Sequence, residues 1–149
     1  MENLTPRHAL PQLAVAQAAK EVTHNEALAL IDALLHPVIE AIVAVPPTLA
    51  AADAGKCWLV GPAATGAFAG NSDRIAYWTG GSWRFALAIE GMSIWHKPSA
   101  TRIYFLDGQW VVPQTVDIPV SGSVVDIEAR ATLVALIARL TSAGILPDA

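Results

Sequence analysis

The chain has 149 residues, enough for one ordinary domain with its own core, and a net charge of −4. It is 54% hydrophobic and only 15% charged, where an average soluble domain carries about 25% charged residues, and this implies apolar surface shared between copies. Nine scattered Lys and Arg residues exclude a basic nucleic-acid-binding face, and no apolar run of about 18 residues is long enough for a membrane span.

In the first flank, Leu10, Leu13 and Val15 stand isolated among Pro, Gln and Ala. That pattern suits an arm which gains its packing partner on docking to another particle protein. A short helical stretch is expected around Ala14 to Lys20. Thr23-His24-Asn25-Glu26 then fits a capping box that opens a longer helix. Leu28, Ile31, Leu35, Val38, Ile42 and Val45 follow at alternating spacings of three and four, a heptad seam that stops at Pro46-Pro47. Pro37 lies inside this helix and should kink it. Leu and Ile at the seam favour three copies around an axis. The alternative is an amphipathic helix lying on its own domain.

The middle is different in kind. All ten aromatic residues lie between Trp58 and Trp110, and eight of the ten glycines between Gly55 and Gly108. Arg74 to Trp83 aligns with Arg102 to Trp110 as a degenerate repeat: a strand, a glycine turn, and a return strand opening on Trp. Gly80-Gly81 and Asp107-Gly108 are two-residue hairpin signals, because such turns need positive φ. Trp83, Phe85, Leu87 and Ile89 alternate, which places four apolar residues on one face. The expectation is a small antiparallel sheet of about five to seven strands. In the second flank, Ser123 to Asp126 offers N-caps, and Ala129, Leu133, Leu136 and Leu140 form a stripe widened by Val134 and Ile137. Arg139, Gly144 and Pro147 suit a helix C-terminus.

Chemical motifs are sparse. Gly61 to Gly66 has phosphate-loop glycine spacing, but Ala67-Phe68 stands where Lys and Ser or Thr are required, so it reads as a loop between strands. His8, His24, His36 and His96 show no metal-ligand spacing. Cys57, the single cysteine, reads as a small buried hydrophobe beside Trp58. Asp73, Glu90 and Asp107 fall at turns or strand ends, where carboxylates serve the backbone. No catalytic residue, metal or cofactor is expected. Trp78, Trp95 and Trp110 are the candidate glycan-contact residues, since exposed indoles stack on sugar rings; the competing reading is core or interface.

The run Gln17-Ala18-Ala19-Lys20-Glu21-Val22-Thr23-His24-Asn25-Glu26-Ala27-Leu28 resembles the opening of a domain family found in tail-fibre-like proteins of alphaproteobacterial phages, prophages and gene transfer agents. The middle is similar to it as well, through Trp58-Leu59-Val60, Ala64-Thr65-Gly66-Ala67-Phe68-Ala69-Gly70, Trp78, Gly80-Gly81, Trp83, Asp107-Gly108 and Trp110, and so is Val125 to Ala131. Phe68 departs from the pattern, which has Trp there, and the distal region of many relatives is absent. The resemblance implies a location in a virion or phage-like particle made in the bacterial cytoplasm, and no catalytic residues.

Together these readings describe an α+β protein. Residues 1–47 form an N-terminal arm and oligomerisation helix, 48–119 a small antiparallel β domain built from glycine hairpins, and 120–149 a C-terminal helix, assembled as a homotrimer. The expected function is structural: a fibre or spike subunit, or an adaptor attaching a fibre to tail, baseplate or head proteins. The alternative is a carbohydrate-binding module that recognises a host surface glycan. Neither nucleic acid nor membrane insertion is expected.

Overall fold

A computed structural model describes residues 4–13, 20–118 and 126–147. Its elements are helix α1 (Lys20–Leu34), strands β1 (Val38–Val43), β2 (Cys57–Val60), β3 (Ile75–Trp78), β4 (Trp83–Ala86), β5 (Ser93–His96), β6 (Thr101–Leu106) and β7 (Gln109–Val111), and helix α2 (Ile127–Ser142). Short 3-10 turns lie at Ala51–Asp53 and Gly66–Phe68. The strands form one mixed sheet in the order β4-β3-β2-β1-β5-β6-β7. β1 runs parallel to both its neighbours, β2 and β5, and every other pair is antiparallel. The sheet is thus two three-stranded meanders flanking one central strand. The sequence repeat maps onto it: Arg74 to Trp83 spans β3 and the start of β4, and Arg102 to Trp110 spans β6 and β7.

One face of the sheet carries Ile39, Leu59, Ile75, Tyr77, Ile94 and Ile103, covered by Ala29, Ala33 and Leu34 of α1. The other face carries Val60 and Ala76 beneath Phe68, Trp83 and Phe85. Phe68 is fully buried there and meets Trp83 edge-on at a centroid distance of 4.8 Å. All four residues of β2 are buried, as expected of a strand covered on both faces. The sheet curls strongly: the indole N–H of Trp110, on edge strand β7, donates to the carbonyl of Asp73 just ahead of β3 in the other meander (2.9 Å).

The continuous helix expected from Leu28 to Val45 does not form. Leu28 and Ile31 lie on α1, Leu35 lies past its end, Val38 and Ile42 are on β1, and Val45 follows that strand. Pro37 ends the helix rather than kinking it, because the residue before a proline is pushed out of the α region. The β-branched run Val38-Ile39…Ile42-Val43 then finds a strand environment, with Ile39 fully buried. Two further corrections follow. The sheet is mixed rather than antiparallel, and a boundary at 47/48 would separate its central strand from the rest. The Thr23–Glu26 box also does not open a helix: α1 has already begun at Lys20, and Glu26 instead accepts a hydrogen bond from Arg84 of β4 (3.0 Å).

Helix α2 matches its expected signals. The Asp126 carboxylate accepts from the Ala129 N–H (2.8 Å); Ser123 lies outside the described residues. At the other end Ile145 N–H donates to Leu140 O and Gly144 N–H to Thr141 O, the Schellman pattern, with Gly144 at φ +69. That turn docks on the sheet, where Arg102 N–H donates to Gly144 O (3.0 Å). No residue of α2 itself is buried.

Candidate functional site

The arm does not hang free. Leu4 and Pro11 form an antiparallel bridge, and Thr5 N–H donates to Leu10 O (3.0 Å). Thr5-Pro6-Arg7-His8 wraps the C-terminal end of α1, where Asp32 is 2% exposed. One oxygen of Asp32 accepts from Thr5 Oγ1 (2.8 Å), the His8 N–H (2.7 Å) and His8 Nδ1 (3.0 Å); the other accepts from the Arg7 N–H (3.0 Å). Burial pushes the Asp32 carboxyl up, but the hydrogen bonds from Thr5, Arg7 and His8 outweigh it and hold the group below its ordinary value. The Arg7 guanidinium donates to Ala33 O (2.8 Å) and His36 O (2.6 Å), satisfying carbonyls left free at the helix end and placing a cation at its negative pole. Gly55 makes room for this: a Cβ there would lie 2.9 Å from Arg7 Cγ.

His8 in turn meets His36, Nε2 to Nδ1 at 3.3 Å. His8 Nδ1 thus faces the Asp32 carboxylate while its other ring nitrogen faces His36. His36, the outer member of the chain Asp32–His8–His36, is exposed. Its nearest thiol is no nucleophile. Burial, opposed by the nearby Arg7 charge, pushes Cys57 up to about 11, so it stays protonated at neutral pH. What these residues accomplish on this geometry is to lock the arm onto α1 and β2. Sequence spacing had no means of finding them, because they are brought together only by tertiary packing.

Beside the lock lies a cavity of about 210 Å³ between the arm, α1 and the end of β3. Leu4, Pro6, Ala29, Ala33 and Ala54 line it together with the charged Arg7 and Asp32, and Tyr77 and Trp78 border it. Burial pushes the Tyr77 hydroxyl up, so it remains neutral.

The other expected site residues are scattered. Of the docking residues, Leu10 is half-buried, Leu13 is exposed with its N–H and carbonyl both bonded to the Asn25 side chain, and Val15 lies outside the described residues. The arm therefore already has a packing partner in its own chain. Of the seam residues, Ile31, Leu35, Ile42 and Val45 are exposed and Leu28 and Val38 half-buried, but they belong to a helix, a turn and a strand. No ring contact joins any two of Trp78, Trp95 and Trp110. Trp78 packs on Trp83 and donates to Ala50 O (2.9 Å). Trp95 lies under Gly144, and Trp110 packs on Phe105. Only Trp78 lines the cavity. Glu90 accepts from the Asp107 N–H (3.1 Å), a backbone role.

Among the described residues, no group of three or more His, Cys, Asp or Glu is placed to hold a metal ion, and no helix is long and apolar enough to cross a membrane. In comparisons with known proteins, a family described as a protein of unknown function, DUF2793, matches residues 24–111. No curated protein matches the chain.

Proposed function

We propose that this chain, which belongs to the DUF2793 family, is a structural component of a phage or phage-like particle: a fibre or spike subunit, or the adaptor that joins a fibre to the virion, built from several copies. The observation that carries this reading is α2. The sheet and α1 have a core of their own, yet α2 buries none of its residues and leaves Ile127, Leu133 and Leu136 exposed, each by more than two-fifths. A helix this apolar is a surface made to be covered. The particle context comes from the resemblance of the Gln17 to Leu28 run and the glycine and tryptophan pattern of the middle to tail-fibre-like proteins. Host-glycan recognition has less support, because its three candidate indoles are not gathered on one surface.

The test is to tag the chain in its native host, band the particles by density, and probe each fraction. A structural component travels with the particles and stays after a high-salt wash. Recovery solely in the particle-free fraction would overturn the proposal.

A further inference from the structure

His8 and His36 stand 28 positions apart in the chain, and the arm brings their rings together at the end of α1. His8 Nε2 lies 3.3 Å from His36 Nδ1, with ring centroids 5.5 Å apart and planes tilted by 32°. That separation suits more than a hydrogen bond. Two imidazole nitrogens on one tetrahedral ion, each at about 2.0–2.1 Å, stand about 3.3–3.4 Å apart. Adjacent nitrogens of a square-planar ion would stand about 2.8–3.0 Å apart. The inner ring is also braced as a metal ligand usually is. His8 Nδ1 meets the Asp32 carboxylate at 3.0 Å, and Asp32 is itself fixed by Thr5 and the Arg7 and His8 N–H groups. A carboxylate behind the far nitrogen orients a ligating imidazole and raises its basicity. The pair is reachable from solvent, since His36 is exposed and the His8 side chain is 25% exposed. The Arg7 charge opposes a cation here, but its guanidinium is held by Ala33 O and His36 O, and the Asp32 charge offsets it.

We propose that His8 Nε2 and His36 Nδ1 bind one Zn²⁺ ion, which clips the arm to the end of α1, with Asp32 as the carboxylate behind His8. Imidazole donors suit the late first-row ions, and the tetrahedral separation of the two nitrogens favours Zn²⁺ among them. Binding fixes the tautomers: His8 keeps its proton on Nδ1, towards Asp32, and His36 carries its proton on Nε2. Among the described residues no group of three or more His, Cys, Asp or Glu converges here, so water completes the tetrahedron and the affinity is that of a two-ligand site. The ion joins residues 28 positions apart and finds no such arrangement in the unfolded chain, so it stabilises the seated arm. The clip does not depend on the particle reading.

The experiment is a titration of the full chain with zinc chloride, followed by nitrogen-resolved NMR of the imidazole rings and by thermal melting. One equivalent should bind saturably, with a dissociation constant on the order of 10–100 µM. The His8 Nε2 and His36 Nδ1 resonances should move, and those of His24 and His96 should stay in place. The thermal midpoint should rise with zinc and fall back on adding EDTA. His36→Gln, at an exposed position, should weaken binding at least about tenfold and remove the zinc-dependent rise. Should that variant fail to fold, His8→Gln replaces it with the same expectation. His24→Gln should bind as wild type does. No saturable binding below about 1 mM, unchanged affinity in the folded His36→Gln or His8→Gln protein, binding through His24 or His96, or attachment through the opposite ring nitrogens would each overturn the proposal.

Discussion

Asp32 shows how much one side chain can organise. It sits on the last turn of α1, where a negative charge is unfavourable to the helix dipole, and it is nearly sealed from water. Its position is tenable because the arm brings hydroxyl and N–H donors to it. Its folded pKa lies below the ordinary value, so its contribution to stability is complete above about pH 4, the unfolded range, and is lost as pH falls through the folded value. Asp32→Asn keeps the shape but presents N–H groups to donors. It should cost about 2–3 kcal/mol at pH 7, and its deficit against wild type should shrink in urea melts as pH drops towards 3. A constant deficit across that range would mean the charge is not what matters. None of this was legible in the sequence, where Asp32 is one more polar residue on a helix and Arg7 and His8 lie some 25 positions away.

At the scale of elements, glycines that look alike in sequence do different work. Gly108 has φ +74 and open space within 4 Å of where a Cβ would stand, whereas Gly144 has φ +69 and a Cβ would lie 2.5 Å from the Trp95 ring. Gly108→Ala should therefore cost only the backbone strain, about 1–2 kcal/mol. Gly144→Ala adds a collision that lifts the α2 turn from β5 and β6, and it should lower the thermal midpoint further than Gly108→Ala does. Equal midpoints would mean the end of α2 is not seated on Trp95. The caps of α2 were readable because Asp126, Gly144 and Pro147 act on backbone within a few residues of themselves. The seam from Leu28 to Val45 misled because spacings of three and four suit a helix whichever fold the chain adopts. The decisive residue was Pro37, and beyond it the β-branched run had a central place waiting in the sheet.

At the scale of the whole molecule, the exposed apolar residues of α2, among them Ile127, Leu133 and Leu136, form a surface suited to being covered. With the α1 seam broken, α2 is the element whose apolar residues repeat: Ala129, Leu133, Leu136 and Leu140 keep the four-three-four spacing on one continuous helix, and Val134 and Ile137 widen the stripe beyond what two helices bury. Light scattering at micromolar concentration should give a mass above that of one chain. Leu136→Asp should reduce it without moving the melting temperature of the sheet, since a charge in a symmetric contact recurs in every copy. Leu35→Asp, on the broken seam, should leave the mass unchanged. A monomeric wild type, or a Leu136→Asp protein of wild-type mass, would rule out association through α2.

By itself the sequence determined the α+β class, the segregation of aromatics and glycines into a β-rich middle, the repeat that became two matched meanders, and the ends of α2. Each of these depends on local rules: period, turn conformation and capping act over a few residues. Only the tertiary structure decided that Val38 to Val43 is the central strand, that the sheet is mixed and curled, and that the arm is locked by Asp32. Those outcomes depend on which residues far apart in the chain come to share a buried space, and burial is a property of the assembled fold.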